Sequence, residues 1–193
     1  MIGKDSLILA KLIERKNEKQ NILNLSKELK MDYKNTYNII RRLEEKNLVK
    51  LERFGQTLRI KPLFQAHPLF FEAEYNRRKE LLKNKDLTVT LKEIKKNLRT
   101  KLYALLLFGS YAKKKQTKKS DIDLLFIVPE GKEEEIEKQI HETTKIIPLP
   151  IHSVVLSEKQ YTEMLNDKDL NVAKEAQKNN IILYGIETYY ELK

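Results

Sequence analysis

At 193 residues, 40% hydrophobic and 34% charged, the chain is long enough for one large domain or two small ones with separate cores. No apolar run approaches the roughly 20 residues that span a bilayer, and Met1-Ile2-Gly3-Lys4-Asp5 lacks the apolar stretch of a secretory signal. Cysteine is absent, which excludes a disulfide framework and thiolate metal sites, so a cytoplasmic protein without a membrane partner is expected. The net charge of +10 is unevenly placed: residues 1–85 hold 20 Lys and Arg against 11 Asp and Glu, and residues 86–193 hold 18 against 17. That asymmetry predicts two functional units, the one facing a polyanion first.

Residues 5–16 place Leu9, Leu12 and Ile13 on one helical face, with Asp5 or Ser6 as N-cap. A second short helix is expected over 24–30, with Leu25 and Leu29 one turn apart. Asp32 then caps a third helix over 33–47, which Asn47 stops because Asn tolerates the left-handed conformation. Two strand-like runs, 48–53 and 57–61, flank the turn Phe54-Gly55-Gln56, and Pro62 ends the unit. In the third helix Tyr37, Ile40 and Leu43 make a core face. Lys34, Asn35, Asn38, Arg41 and Arg42 make an opposite polar stripe of residue types that bond base edges and phosphates. Arg53, Gln56 and Arg59 fall on the hairpin, toward a nucleic-acid backbone. Three helices followed by a hairpin, and the stretch Leu25–Leu51 in particular, resemble winged helix-turn-helix regulators of archaea and bacteria. The resemblance implies DNA as partner, and a homodimer reading paired half-sites by analogy. The bland alternative is a solvated lysine-rich face or a protein-docking module.

Residues 63–87 read as a helical connector that starts at Pro68 and runs to about 84, with Leu69, Phe70, Ala73, Arg77, Leu81 and Leu82 along one face. A helix over 88–100 presents Leu91, Ile94 and Leu98. Strand patterns follow at Tyr103–Phe108, Ile122–Val128, Ile151–Leu156 and Ile181–Gly185, interleaved with helices over 132–146, 157–166 and 169–179. The organisation expected is therefore a winged-helix unit over 1–62, a connector over 63–87, and an α/β (α+β) domain with a small mixed sheet over 88–193. His67 and His141 are isolated and lack metal-ligand spacing, and Tyr189 and Tyr190 read as ordinary packing.

The chemistry concentrates in Leu107-Phe108-Gly109-Ser110-Tyr111-Ala112 and Ser120-Asp121-Ile122-Asp123-Leu124. Gly109-Ser110 follows an apolar strand, and Asp121 and Asp123 open the next one. Alternation along a strand puts both carboxylates on one face, with Cα atoms about 6.5 to 7 Å apart. Such a pair can hold hard dications, of which Mg²⁺ is the natural candidate. Without a Cβ, Gly109 lets the backbone approach a triphosphate closely. The Ser110 hydroxyl, the amides that follow it, and Lys113, Lys114, Lys115, Lys118 and Lys119 add donors and positive charge.

Gly-Ser after a strand, with Asp-x-Asp opening the next, resembles the DNA polymerase β superfamily of nucleotidyltransferases. The likeness is to its minimal members, which include antitoxins that adenylylate partner toxins, and it covers about residues 88–186, including the closing Leu183-Tyr184-Gly185. It implies that Gly109 and Ser110, with Lys113, bind ATP or another nucleoside triphosphate, and that Asp121 and Asp123 ligate Mg²⁺. Two departures stand out. Lys113-Lys114 replaces the Arg-Gly of the minimal members, a point charge in place of a bidentate fork. His152, in Pro150-Ile151-His152-Ser153-Val154, stands where the family's third carboxylate is expected, as a candidate base or ligand. Three functions are compatible with these residues. One is a Mg²⁺-dependent nucleotidyltransferase delivering AMP to a hydroxyl and coupled to DNA binding. The second is a DNA-binding regulator with a degenerate nucleotide-sensing or partner-docking domain, and the third is an antitoxin-type adenylyltransferase acting on a partner protein.

Overall fold

The computed structural model describes residues 3–55, 57–117 and 120–192, and these divide into two compact units between Arg77 and Arg78. Gln56 on the expected hairpin turn, and Lys118 and Lys119 in the expected phosphate loop, lie outside the described residues.

The first unit runs α1 (Lys4–Glu14), β1 (Gln20–Asn21), α2 (Ile22–Leu29), α3 (Tyr33–Glu45), β2 (Val49–Phe54) and β3 (Thr57–Pro62). Helix α4 (Pro68–Leu81) then runs across the division between the units. The apolar periodicity explains the helices: Ile8, Leu9, Leu12 and Ile13 of α1, Leu25 of α2, and Ile39, Ile40 and Leu43 of α3 are all buried. Asn21 caps α2 by accepting from Asn24 N at 2.8 Å, and Asp32 caps α3 by accepting from Asn35 N at 2.9 Å. Helix α3 ends in a Schellman turn. Asn47 takes φ +56° and donates to Glu44 O at 2.9 Å, and Leu48 donates to Leu43 O at 2.9 Å. The three strands form an antiparallel sheet in the order β1-β3-β2.

Three local expectations change. Helix α1 begins after Gly3 with no side-chain cap. Asp5 instead lies in its first turn, favourably placed at the positive end of the dipole, and Ser6 is buried with its hydroxyl on Gly3 O at 3.0 Å. In α3 Tyr37 is only half-buried, while Thr36 and Ile39 take the core positions beside Ile40 and Leu43. The strand β1 was not expected, because two residues carry no alternation to read.

The second unit contains α5 (Lys85–Asn97), β4 (Ala104–Leu107), α6 (Gly109–Ala112), β5 (Ile122–Val128), α7 (Glu133–Thr144), β6 (Ile151–Ser157), α8 (Glu158–Asn166), α9 (Val172–Lys178), β7 (Ile181–Tyr184) and α10 (Ile186–Glu191). It is a mixed α/β unit around a four-stranded sheet in the order β6-β5-β4-β7. Strands β5 and β6 are parallel and the other pairs antiparallel. The apolar runs of β4 and β5 are central and buried on both faces, as a continuous hydrophobic strand requires. Ile122, Leu124, Phe126 and Val128 share one core cluster with Leu87, Leu91 and Ile94 of α5 and Ile136 and Ile140 of α7. By alternation Asp123, Leu125 and Ile127 point to the other side.

Asn84 and Asn171 reset two helix starts. Each side-chain oxygen caps the helix that follows, so α5 begins at Lys85 and α9 at Val172 rather than at 88 and 169. Helix α10 was not expected, and its Tyr189 and Tyr190 are buried. Gly185 sits at φ +68°, where a Cβ would lie 2.9 Å from Ala104 Cα, so only glycine lets the chain turn off β7 against β4.

Candidate active site

Strand β4 delivers the chain to Gly109 at the edge of β5. Leu107 is opposite Leu124 in the ladder, and Phe108 N donates to Asp123 O at 3.0 Å. Two antiparallel strands thus fix the turn beside the start of β5. Gly109 has φ +65°, and a Cβ built on it would overlap Asp123 Oδ2 and lie only 2.7 Å from Asp123 Cγ. The absence of a side chain at Gly109 is therefore what admits the Asp123 carboxylate against the turn. Ser110 follows in the single turn of α6 and is half-buried, and the loop beyond it closes with Lys115 N on Ser110 O at 3.0 Å.

Asp121 lies one residue ahead of β5 and is exposed. Its charge reaches Asp123, whose pKa is raised, first by desolvation and then by the carboxylates of Asp121 and Glu175, against the opposing pull of His152. Register explains the histidine. In the parallel pair Asp123 is matched with His152, and the imidazole Nδ1 stands 3.4 Å from Asp123 Oδ1. Asp123 keeps 24% of its side-chain surface, and His152 keeps 63%. Its two carboxylate oxygens therefore face different neighbours, Oδ2 the glycine turn and Oδ1 the imidazole.

Glu175 was not singled out in the sequence. It comes from α9, 62 positions after Lys113, and pairs with the Lys113 ammonium at 3.4 Å. No local pattern marks it, because only the packing of α9 brings it near the turn. Lys113, expected to grip phosphate, is thus exposed and held by a carboxylate.

Among the described residues no group of three His, Cys, Asp or Glu side chains is arranged to hold a metal ion. Asp121 and Asp123 could hold a hard dication jointly with the oxygens of a triphosphate, since such ions favour carboxylate, phosphate and water oxygens. The like charges that converge on Asp123 are the electrostatic condition a cation would relieve.

Residues 90–182 match the family model of the nucleotidyltransferase domain. The match falls within the second unit and takes in the glycine turn, both aspartates, His152 and Glu175. No curated protein matches the chain. Two solved structures are similar to part of it. One is a candidate nucleotidyltransferase from Sulfolobus solfataricus, at 20% identity and TM-score 0.35, with 59% of this chain and 88% of that one covered. The other is a toxin–antitoxin structure with AMP-PNP, at 18% identity and TM-score 0.33, with 56% and 79% covered.

Outside the residues that match this family model, Lys34, Asn38, Arg41 and Arg42 of α3 are exposed and Asn35 is half-buried. Two of these cations have carboxylate partners: Arg41 on Glu44 at 2.6 Å, and Arg42 on Asp5 at 2.7 Å. Arg53 on β2 is exposed, whereas Arg59 on β3 is half-buried, with its Nε enclosed and without a hydrogen-bond partner. Among the described residues no helix is long and apolar enough to cross a membrane.

Proposed function

We propose that the nucleotidyltransferase domain transfers a nucleoside monophosphate, AMP from ATP in the first instance, to a hydroxyl acceptor with release of pyrophosphate. The observation that carries this reading is the Asp123 carboxylate seated against Gly109 in space that a Cβ would fill. It joins an acid to a turn whose amides and Ser110 hydroxyl suit phosphate oxygens. Asp121 and Asp123 would hold Mg²⁺ or a similar dication, which supplies charge neutralisation for the triphosphate and the leaving pyrophosphate. Gly109 and Ser110 position the phosphates, and Lys113 reaches them by exchanging Glu175 for a phosphate. The acceptor oxygen bonds to the α-phosphorus while the bond from that phosphorus to the bridging oxygen breaks. The hydroxyl proton would pass to a base at the rim, a role we assign to His152 or Asp123, which lie 3.4 Å apart.

Labelled ATP, a dication and candidate acceptors test the reading. Incorporation should fall at least about 10³-fold in Asp121→Ala plus Asp123→Ala. Incorporation that is absent in the native chain, or equal in the variant, rejects it.

For the first unit we propose a winged helix-turn-helix that binds duplex DNA, with Lys34, Asn35, Asn38, Arg41 and Arg42 toward the major groove and Arg53 and Arg59 toward the backbone. The order of three helices and a three-stranded sheet supports it, as does the basic charge of residues 1–85. Affinity should fall steeply with salt and drop on Arg41→Ala plus Arg42→Ala. Salt-insensitive binding, or none, rejects it. A second reading, a regulator whose nucleotidyltransferase domain senses nucleotide without turnover, is favoured by the histidine beside Asp123. Nucleotide binding without incorporation distinguishes it.

A further inference from the structure

We propose that the outer edge of β6 pairs with β6 of a second copy of this chain, antiparallel and about a two-fold axis at Ser153. Two four-stranded sheets then join into one continuous sheet. Neither metal nor nucleotide enters this pairing.

A strand at the edge of a sheet presents unpaired N–H and C=O groups, and a solitary chain blunts such an edge with charge, proline, brevity or a covering group. Three of the four edge strands among the described residues are blunted in this way. Strand β1 has two residues, and β2 carries Lys50, Glu52 and Arg53. Strand β7 has four residues, and the Arg78 guanidinium covers it by donating to Leu183 O at 3.0 Å. Strand β6 differs. It has seven residues, keeps an unbroken register against β5, and contains no Lys, Arg, Asp, Glu or Pro. It ends a run, residues 146–157, that lacks all four charged residue types in a chain that is 34% charged. Burial does not explain the run, since Ile146 is 75% exposed and every residue of β6 except Ser157 keeps accessible surface.

Register shows which backbone groups are open. Ile122 N donates to Pro150 O at 2.9 Å, and Ile122 is matched with Ile151. Bonding residues alternate along a parallel ladder, so His152, Val154 and Leu156 turn their N–H and C=O toward β5, and Ile151, Ser153 and Val155 turn theirs outward. Ser157 closes the open stretch, because its N–H donates to Gln160 Oε1 at 2.9 Å in the cap of α8. The open residues are therefore centred on Ser153. A copy turned about a two-fold axis there sets Ser153 against its own counterpart and Ile151 against the copy's Val155. Each open N–H and C=O of the three then has a partner. Ile151 and Val155 already pack on the core cluster, so their β-branched pair carries that apolar layer across the seam. Charge favours a second copy as the occupant. The strand brings no like charges to its own image, and residues 86–193 around it hold 18 Lys and Arg against 17 Asp and Glu. A copy thus approaches this edge without the repulsion that the basic residues 1–85 would bring.

Sedimentation equilibrium of the full chain tests the pairing. The native protein should sediment at micromolar concentration with twice its chain mass of 22.9 kDa. Ser153→Lys sets like charges opposite each other at the axis and should weaken dimerisation at least about 100-fold. Val155→Pro removes an outward N–H while leaving the ladder to β5 intact, and should also yield a monomer. Circular dichroism checks that each variant folds, and either one suffices if the other does not. A third variant reads the register. The chain has no cysteine, so Ser153→Cys adds a single thiol. Hydrogen-bonded antiparallel partners have Cα atoms about 5.5 Å apart, within disulfide reach, and mild oxidation should convert the variant to a covalent dimer. A native chain that is monomeric at micromolar concentration overturns the proposal and leaves the edge to a strand of another protein. A dimer that folded Ser153→Lys or Val155→Pro leaves undiminished, or a Ser153→Cys dimer that oxidation does not cross-link, overturns it as well.

Discussion

Ionisable side chains are used in opposite ways by the two units. At the glycine turn, Asp121, Asp123 and Glu175 bring like charges together, and desolvation adds to the cost of ionising Asp123. On α3 the cations stand in solvent, and Arg41 and Arg42 lie against carboxylates of their own unit. The first arrangement is fixed by shape, since strand register and a missing Cβ leave Asp123 one place to go. The second is set by long, exposed side chains whose pairs exchange readily with other charges. A site held by sterics should fail abruptly when its shape changes, and one held by exposed charge should respond by degrees.

The largest expected effect is at Gly109. Gly109→Ala meets both a left-handed backbone and the Asp123 carboxylate, and should cost about 2–4 kcal/mol in urea unfolding, with loss of ATP-analogue binding. Adding Asp123→Ala removes the group that the methyl would strike, and should recover about 1 kcal/mol or more of that loss. Simple additivity of the two substitutions would show that the turn and the acid are not sterically coupled.

At the capping level the two units should behave alike, because the hydrogen bond is the same in both. Asp32→Ala, which removes the cap of α3, should lower stability by about 1 kcal/mol, and Asn84→Ala at the start of α5 by a similar amount, measured in the same way. A far smaller loss at Asp32 would place α3 under the control of packing alone.

The Asp123 charge gives a subtler contrast. Its pKa is raised in the folded chain, so the metal-free native state binds more protons than the unfolded state through the carboxylate range, and stability falls as pH rises through that window. Asp123→Asn should therefore raise the metal-free unfolding midpoint near neutral pH. The advantage should close below about pH 4, where both forms are uncharged. An equal advantage at both pH values would point to packing rather than charge.

Much of this was legible from the chain. The strand Ile122–Val128 has the bounds its apolar run predicts, and the Asp32 cap and the Asn47 stop are local events set by local chemistry. The convergence of Gly109 with Asp123 was also readable, because both lie at the ends of recognisable strands. What escaped depends on distance along the chain. Glu175 reaches the turn only through the packing of α9, and the Arg42 partner Asp5 is 37 positions away. Asp5 looked like a cap because its type and position fit one, yet Gly3 occupies the cap position and leaves Asp5 inside the helix. His152 was visible as a departure, but that it faces Asp123 could be known only from the register of β5 and β6.

The smallest expected effect lies on α3, and it asks whether the paired cations are available to a polyanion. Arg42 is 57% exposed on its side chain, while its partner Asp5 is 20% exposed, so the pair holds the guanidinium loosely at the surface. An exposed pair of this kind contributes little to stability, and Asp5→Asn should leave the unfolding midpoint nearly unchanged. It removes a negative charge beside the stripe, however, and frees Arg42 for phosphate. Duplex affinity at low salt should therefore rise a few-fold, and the slope of log affinity against log salt should steepen by about 0.9, one further phosphate neutralised. Arg42→Ala should do the reverse, and in the Arg42→Ala background Asp5→Asn should lose most of its effect. If Asp5→Asn strengthens binding equally with and without Arg42, the carboxylate acts through the general field of the unit rather than through this pair, and the stripe works without the local restraint that separates it from the glycine turn.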